Sequence, residues 1–246
     1  MIHLEEFDGV TVVRLDHGKV NALDLELLER ITATFTELDA GPSRAVVLTG
    51  TGRAFSAGVD LRRIIDGGAG YVHAFLPALD AAFLAVFTLG KPVVAALNGH
   101  AIAGGAILAA ACDHRIMATG TGTIGVTELP VGVPFPATAL EILTHAYGAP
   151  PARRAVFAGD TLDPPAALAD GRVDELSPPD TLVATAVERA QGLAATTTPE
   201  VFRLTKEQLR VPDRQRPAAD PRVLQLWLRA AEDGTLQRYL TSLGSR

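Results

Sequence analysis

The sequence feature that most limits how this chain can fold is a glycine pair at the start of an apolar, helix-forming run. Residues 98–113 read NGHAIAGGAILAAACD, so Ala103, Gly104 and Gly105 stand directly before a helix pattern. Residues with little or no side chain let backbone N–H groups approach a ligand closely, and the helix dipole favours negative charge there. The segment lacks the lysine of a P-loop and the longer dinucleotide fingerprint. It therefore predicts an oxyanion site at a helix start, with close helix packing as the alternative.

Strand and helix patterns alternate through the first half of the chain. Strand patterns occur at residues 2–7, 10–15, 44–50, 91–99 and 113–119. Helix patterns occur at residues 21–35, 136–148, 151–159 and 220–243. The first two strands meet at Asp8-Gly9, a dipeptide that favours a tight hairpin. The order predicts an α/β layered fold with largely parallel strands and a helical C-terminal third.

Composition narrows the class of ligand. The chain has 246 residues with 48% hydrophobic content, which suits one large domain or a domain with a small appendage. The 22 basic and 28 acidic residues give a net charge of −6, and no Lys/Arg run is present. Since nucleic-acid binding requires a basic patch, we expect a small-molecule ligand and no nucleic acid.

The single cysteine and the apolar segments indicate a cytoplasmic protein. Cys112 has no partner for an intrachain disulfide, so we interpret it as a buried structural thiol in a reducing compartment. The N-terminus is acidic and strand-like, which is not typical of a secretory signal. The most apolar span, residues 92–111, is interrupted by Asn98, Gly99 and His100, so we expect no membrane helix.

A second glycine loop reads AFSAGVD at residues 54–60, directly after a predicted strand. Two such loops after neighbouring parallel strands can converge at the carboxyl end of a sheet. Two converging N–H donors form an oxyanion hole, which stabilises charge that develops on a carbonyl oxygen. The two loops together predict such a hole.

A third segment, TIGVTELPVGVPFP at residues 123–136, contains Glu128 as its only ionisable side chain. Burial among the apolar neighbours would raise the pKa of this carboxyl group, which suits proton transfer near neutral pH. The alternative is an exposed glutamate in a proline-containing turn. The sequence shows no metal-ligand spacing, so we expect no metal and no redox cofactor.

In this order and spacing, the three segments resemble the crotonase superfamily, also called the enoyl-CoA hydratase/isomerase family. The resemblance runs from GKVNALD at residues 18–24 to ARRAVFAGD at residues 152–160. It implies a crotonase-like spiral of β-β-α units with a C-terminal helical layer. It also implies a catalytic, acyl-CoA-binding core at residues 1–190 and a helical trimerisation region at residues 191–246. The coenzyme A would be part of the substrate, not a separate cofactor.

The resemblance implies roles for individual residues. The backbone N–H groups of Val59 and Gly104 would stabilise the enolate of the thioester. Residues placed along coenzyme A are Ala22, Ala57, Asp60, Leu61 and Lys206. Lys206 is a candidate phosphate partner, with a solvated helix face as the favoured alternative.

Ile107 distinguishes this chain from typical hydratases of the family, which use two glutamates to activate water. The first glutamate position is occupied by Ile107, and only Glu128 remains at the second. One carboxylate suffices to move the double bond of a 3-enoyl-CoA, and IGVTELPVGV resembles the matching segment of 3,2-enoyl-CoA isomerases. The sequence predicts an isomerase of fatty-acid-type metabolism. The alternatives are a hydratase (a lyase) or another enolate chemistry, and a non-catalytic acyl-CoA-binding protein.

The segment after the second glycine loop is the region that forms the acyl pocket in the family. Candidate lining residues are Ile64, Ile65, Phe75, Leu79 and Ile107, with core packing as an equal alternative. Glycines at 67, 68 and 70 predict a mobile turn before a helix that starts near Tyr71. Family members assemble as trimers, often paired into hexamers, through C-terminal helices. Candidate interface residues are Leu224, Leu226, Trp227 and Leu228, with packing onto the same chain as the alternative.

Overall fold

The computed structural model describes residues 1–210 and 221–244, without the side chains of 221–223, 226, 243 and 244. Its strands are β1 (Ile2–Phe7), β2 (Val10–Leu15), β3 (Ala45–Gly50), β4 (Ala54–Ser56), β5 (Val93–Leu97), β6 (His100–Ile102), β7 (His114–Ala118), β8 (Ile124–Gly125), β9 (Thr161–Leu162) and β10 (Glu175–Ser177). Its helices are α1 (Leu25–Ala40), α2 (Leu61–Phe87), α3 (Gly104–Ala111), α4 (Glu128–Val131), α5 (Ala137–Tyr147), α6 (Ala149–Ala158), α7 (Pro164–Asp170), α8 (Leu182–Ala195), α9 (Pro199–Arg210), α10 (Pro221–Glu232) and α11 (Thr235–Gly244).

The strands form two sheets. The larger has the spatial order β1-β2-β3-β5-β7-β10, and the smaller has the order β4-β6-β8-β9. β1 and β2 form the predicted antiparallel hairpin, and the backbone of Asp8 and Gly9 has φ values of 53° and 83°, as a type I′ turn requires. The pairs from β2 to β10 in the larger sheet are parallel. The predicted α/β class with largely parallel strands is confirmed.

Three consecutive units share one plan: a long strand in the larger sheet, a short strand in the smaller sheet, then a helix. They are β3-β4-α2, β5-β6-α3 and β7-β8-α4. The β-β-α spiral is therefore confirmed. Since β4, β6 and β8 are hydrogen-bonded neighbours, the three strand-to-helix junctions lie side by side. These junctions carry the two glycine loops and Glu128.

Helix α2 differs from its prediction. It begins at Leu61, because the side chain of Asp60 accepts hydrogen bonds from the N–H groups of Arg62 and Arg63. Two helical segments meet at a kink in the glycine-rich stretch, where Gly68 leaves helical geometry with φ 56° and ψ −152°, so the predicted break there is confirmed. The helical segment after the kink matches the predicted helix that starts near Tyr71, whereas the segment from Leu61 to the kink was not predicted. α2 is long and apolar enough to cross a membrane, yet half of that stretch is buried inside the fold, as expected for a core helix.

The C-terminal helices pack on the same chain. The predicted segment 220–243 divides at Asp233 and Gly234 into α10 and α11. Leu224, Trp227 and Leu228 pack against the apolar core, whereas the side chain of Leu226 lies outside the described residues. The boundary predicted at residue 190 falls inside α8, and the predicted role of the region in trimerisation stays a prediction.

Candidate active site

The two glycine loops are in direct contact. A Cβ atom on Gly58 would lie 2.5 Å from the carbonyl oxygen of Ile102 and 3.2 Å from the nitrogen of Gly104. A Cβ atom on Gly104 would lie 2.9 Å from Cδ1 of Leu23 and 3.8 Å from Cα of Gly58. Gly58 also has a φ of +80°, which side chains rarely tolerate. Glycine is therefore needed at position 58 for the loops to converge.

Both predicted oxyanion donors are free. The N–H of Leu23 donates to the carbonyl of Gly58 (2.8 Å), and the N–H of Asp60 donates to the carbonyl of Leu23 (3.0 Å). These two hydrogen bonds form a parallel β-bridge between Leu23 and Val59, in which the N–H of Val59 points away from Leu23. Gly104 begins α3, where N–H groups lack a partner within the helix. Neither N–H donates to an acceptor in the described part of the chain.

The backbone of Ala103 has an unusual conformation that its hydrogen bonds hold in place at the start of α3. Its φ of 49° and ψ of −121° are rare for a residue with a side chain. Its N–H donates to the carbonyl of Gly125 at the end of β8 (2.8 Å), and its carbonyl accepts from the N–H of Ile107 (3.1 Å). The strained backbone is thus held by the neighbouring junction and by its own helix, which fixes the direction of the Gly104 N–H.

One cavity of about 380 Å³ contacts all three junctions. Val59, Gly104 and Glu128 all line it. So do four residues that the sequence placed along coenzyme A, namely Ala22, Ala57, Asp60 and Leu61. The remaining wall is mostly apolar and includes Leu79, Phe83, Ile102, Ile107, Val131, Val133, Pro136 and Trp227. The geometry brings donors, carboxyl group and apolar wall together.

Glu128 is the first residue of α4, and its side chain is buried with 6% exposure. Its Oε2 has no hydrogen-bond partner in the described part of the chain. Burial raises the pKa of this carboxyl group to about 7, opposed by hydrogen bonds from the backbone of Glu128 and Thr127. The alternative of an exposed glutamate is wrong, because Val126, Val131 and Phe135 are all buried around this turn. A carboxyl group with this pKa can both accept and return a proton near neutral pH.

The described residues that line the cavity include no second carboxylate of this kind. Asp60 also lines it, but its oxygen accepts hydrogen bonds from the first turn of α2. Ile107 lies one turn into α3 with 1% exposure, beside the Gly104 donor. Among the described lining residues, Glu128 is thus the carboxyl group with an unpaired oxygen that can act as a base.

The predicted acyl-pocket residues separate into two groups. Leu79 and Ile107 line the cavity. Ile64 and Phe75 are buried in the core and are not part of its lining, and Ile65 lines an adjoining depression. Phe83 was missed, although it follows Leu79 by one helical turn and could have been found from that period. The other missed residues come from α4, from the loop after it and from the distant helix α10: Val131, Val133, Pro136 and Trp227.

Lys206 does not lie on a solvated helix face, so that prediction is wrong. Its ammonium group is buried, donates to Asp113 Oδ2 (2.7 Å) and to the carbonyl of Lys91 (2.8 Å), and is not part of the cavity lining. Arg210, one turn later, donates to the carbonyls of Phe87 and Ala111 (2.8 Å each) at the ends of α2 and α3. Arg210 thus contacts two helix C-termini, where positive charge is favoured.

Cys112 lies beside this cluster and is buried, as predicted for a structural thiol. Burial raises the pKa of the thiol to about 12. Since the thiolate is the reactive form, Cys112 is inert near neutral pH.

Known proteins resemble this chain along most of its length. The profile of the enoyl-CoA hydratase/isomerase family matches residues 5–226. A putative enoyl-CoA hydratase of Thermus thermophilus is 37% identical over 216 residues, which cover 85% of this chain and 83% of the relative. Mouse mitochondrial enoyl-CoA delta isomerase 1 is 33% identical over 183 residues, which cover 73% of this chain and 63% of the relative.

Solved structures show the same fold. The crystal structure of human mitochondrial delta3-delta2-enoyl-CoA isomerase has a TM-score of 0.87 at 27% identity. The superposition covers 100% of this chain and 97% of the human protein. The similarity therefore includes the C-terminal helical region as well as the spiral of β-β-α units.

Proposed function

Because the chain belongs to the enoyl-CoA hydratase/isomerase family, we propose that it moves the double bond of a 3-enoyl-CoA to the 2-position. The chain is an enzyme of this family, and an acyl-CoA thioester is the substrate that fits it. The relatives named above include a hydratase and isomerases, so similarity alone does not decide the reaction. The residues in the cavity favour the isomerase.

The observation that carries the proposal is that, among the described residues, one carboxyl group with an unpaired oxygen lines the same cavity as two N–H groups without an acceptor. Syn hydration in this family uses two glutamates, and Ile107 can neither accept a proton nor orient water. Migration of a double bond needs one group that takes a proton and gives it back. Glu128, buried and with a pKa raised to about 7, suits both steps.

The reaction follows from this arrangement in two proton transfers. The thioester oxygen accepts hydrogen bonds from Val59 and Gly104, and the Glu128 carboxylate removes a proton from C2. The C2 electron pair delocalises over the thioester and the C3–C4 double bond as a dienolate. Glu128 then gives its proton to C4, which leaves the double bond between C2 and C3. Each oxyanion donor would stabilise the dienolate by about 2.7–4 kcal/mol.

The apolar wall supports the same outcome. A water molecule that reached the dienolate could compete for protonation, and Ile107 occupies the position where a hydratase would hold that water. Neither step requires a metal or redox cofactor. The coenzyme A of the substrate would extend along Ala22, Ala57, Asp60 and Leu61.

The reaction is tested by giving the purified protein 3-hexenoyl-CoA or 2-hexenoyl-CoA and measuring migration and hydration separately. The proposal expects migration in the first substrate and little hydration of the second. Efficient hydration would favour the hydratase. Another group would then have to take the role of the glutamate that Ile107 replaces. Binding without either reaction would favour a non-catalytic acyl-CoA-binding protein.

We further propose that the protein is cytoplasmic and forms a homotrimer or a hexamer. Helix α9 supports an assembly because Val201, Leu204 and Leu209 are between 52% and 67% exposed in the isolated chain. A second copy would remove this apolar surface from water. Light scattering at micromolar concentration tests the assembly, and a monomeric mass would overturn it.

A further inference from the structure

Trp227 is built into the same cavity as Glu128, although it comes from the C-terminal helix α10. It is the single tryptophan of the chain, and it is buried with 2% exposure. Its ring lines the cavity together with Leu79, Phe83 and Ile107. The C-terminal region therefore contributes directly to the apolar wall.

The indole ring is fixed from two sides. Its Nε1–H donates to the carbonyl oxygen of Pro134 (3.3 Å), and its centroid lies 6.2 Å from the ring of Phe75. Phe75 is stacked in turn on Tyr71 (5.8 Å), whose hydroxyl accepts from the N–H of Leu25 (2.9 Å). A ring held by a hydrogen bond and by aromatic neighbours forms a rigid wall.

The hydrogen bond to Pro134 also connects the indole ring to the loop after Glu128. Pro134 lies next to Val133 and two residues before Pro136, and both of these line the cavity. Helix α11 also reaches this loop, because Cγ2 of Thr235 lies 2.6 Å from where a Cβ atom on Gly132 would be. Tyr239 and Leu240 of α11 complete the lining.

We propose that Trp227 is the specificity-determining residue of the acyl pocket and limits the length of the acyl chain. The inference rests on the proposed function, since it takes the apolar part of the cavity as the site of the acyl chain. Each methylene group that still meets apolar wall should tighten binding about fourfold, from about 0.8 kcal/mol of burial. Once the chain reaches the fixed indole ring, added carbons should gain no further affinity.

The first test measures binding of saturated acyl-CoAs from acetyl-CoA to decanoyl-CoA to the wild-type protein. Saturated chains undergo no double-bond migration, so this test stands even if the proposed reaction is wrong. The fluorescence of Trp227 is excited at the red edge of its absorption, where adenine does not absorb. We expect no change with free coenzyme A, and a change that begins at the chain length where affinity stops rising. An equal response to free coenzyme A, or no response at any length, would overturn the proposal.

The second test compares variants by calorimetry, since they lack the fluorophore. In Trp227→Ala, affinity should stop rising at an acyl chain at least two carbons longer than in the wild type. Trp227→Phe keeps an aromatic wall and should keep a limit close to that of the wild type. An unchanged limit in folded Trp227→Ala would overturn the proposal. If that variant does not fold, Trp227→Leu replaces it under the same criterion, and circular dichroism establishes folding in each case.

Discussion

Substitution of Gly58 by alanine tests whether contact between the two glycine loops sets the position of the oxyanion donors. The new Cβ atom would lie 2.5 Å from the carbonyl oxygen of Ile102. An ordinary van der Waals contact of a Cβ atom begins at 3.4 Å. The loops would have to separate by roughly 3.4 − 2.5 = 0.9 Å, and the Gly104 nitrogen would move with them.

A shift of this size should reduce kcat more than binding. Misplacement of catalytic groups by about 1 Å can lower the rate about a hundredfold, and loss of one oxyanion donor lowers it about 10²–10³-fold. We expect kcat for 3-hexenoyl-CoA to fall about a hundredfold. The KM should change much less, because the apolar wall is preserved.

Gly52→Ala is the matched control. Gly52 has a φ of +64°, similar in sign to the +80° of Gly58, but a Cβ atom there would meet nothing within 4 Å. Both variants should lose about 1–2 kcal/mol of stability from the left-handed backbone. Only Gly58→Ala should also lose activity. If Gly58→Ala and Gly52→Ala both keep kcat within about threefold of the wild type, contact between the loops does not set the position of the donors.

Three further predictions concern pH and polarity. Since burial raises the pKa of Glu128 to about 7 and the ionised form is the base, kcat/KM should rise with pH and level off above about pH 7; a flat profile would contradict this. Ile107→Glu should add measurable hydration of 2-hexenoyl-CoA and slow migration, whereas unchanged product ratios would count against the role of Ile107. Burial also raises the pKa of Asp80 from 3.8 to about 7, so its ionised form opposes folding as pH rises through this range. Asp80→Asn should therefore be stabilised relative to the wild type more at pH 7 than at pH 4, by at most about 4 kcal/mol. A difference in thermal stability between variant and wild type that is the same at pH 4 and pH 7 would contradict this.

The three segments of the candidate site could be predicted from the sequence because the signal of each segment is local. Each of the three segments joins a short strand to a helix, and each carries its own signal: a glycine loop, a glycine pair or an isolated glutamate. The repeated β-β-α order then places these junctions side by side. The two glycine loops and Glu128 could thus be located from their own neighbours in sequence, and the family resemblance then implied Val59 and Gly104 as the donors.

The acyl wall could be predicted only in part, because much of it depends on contacts between distant segments. Trp227 bonds to Pro134, 93 residues earlier in the chain, and no local pattern indicates that contact. Lys206 is on a helix rich in charged residues, which favoured a solvated face. Its actual partner, Asp113, is 93 residues away. The start of α2 had a local signal in Asp60, but the three glycines that follow indicated a turn more strongly than the cap indicated a helix.

In the proposed reaction one buried carboxylate carries the proton, and the Glu128→Gln variant tests this role. The variant keeps the size of the side chain and removes its basicity, and Glu188→Gln on the exposed face of α8 is the control. The measurement is the rate of double-bond migration in 3-hexenoyl-CoA at saturating substrate. General acid–base catalysis contributes about 10²–10⁴-fold, so the account predicts a loss of this size in Glu128→Gln and none in Glu188→Gln. Migration by Glu128→Gln at a rate equal to that of the control would contradict it.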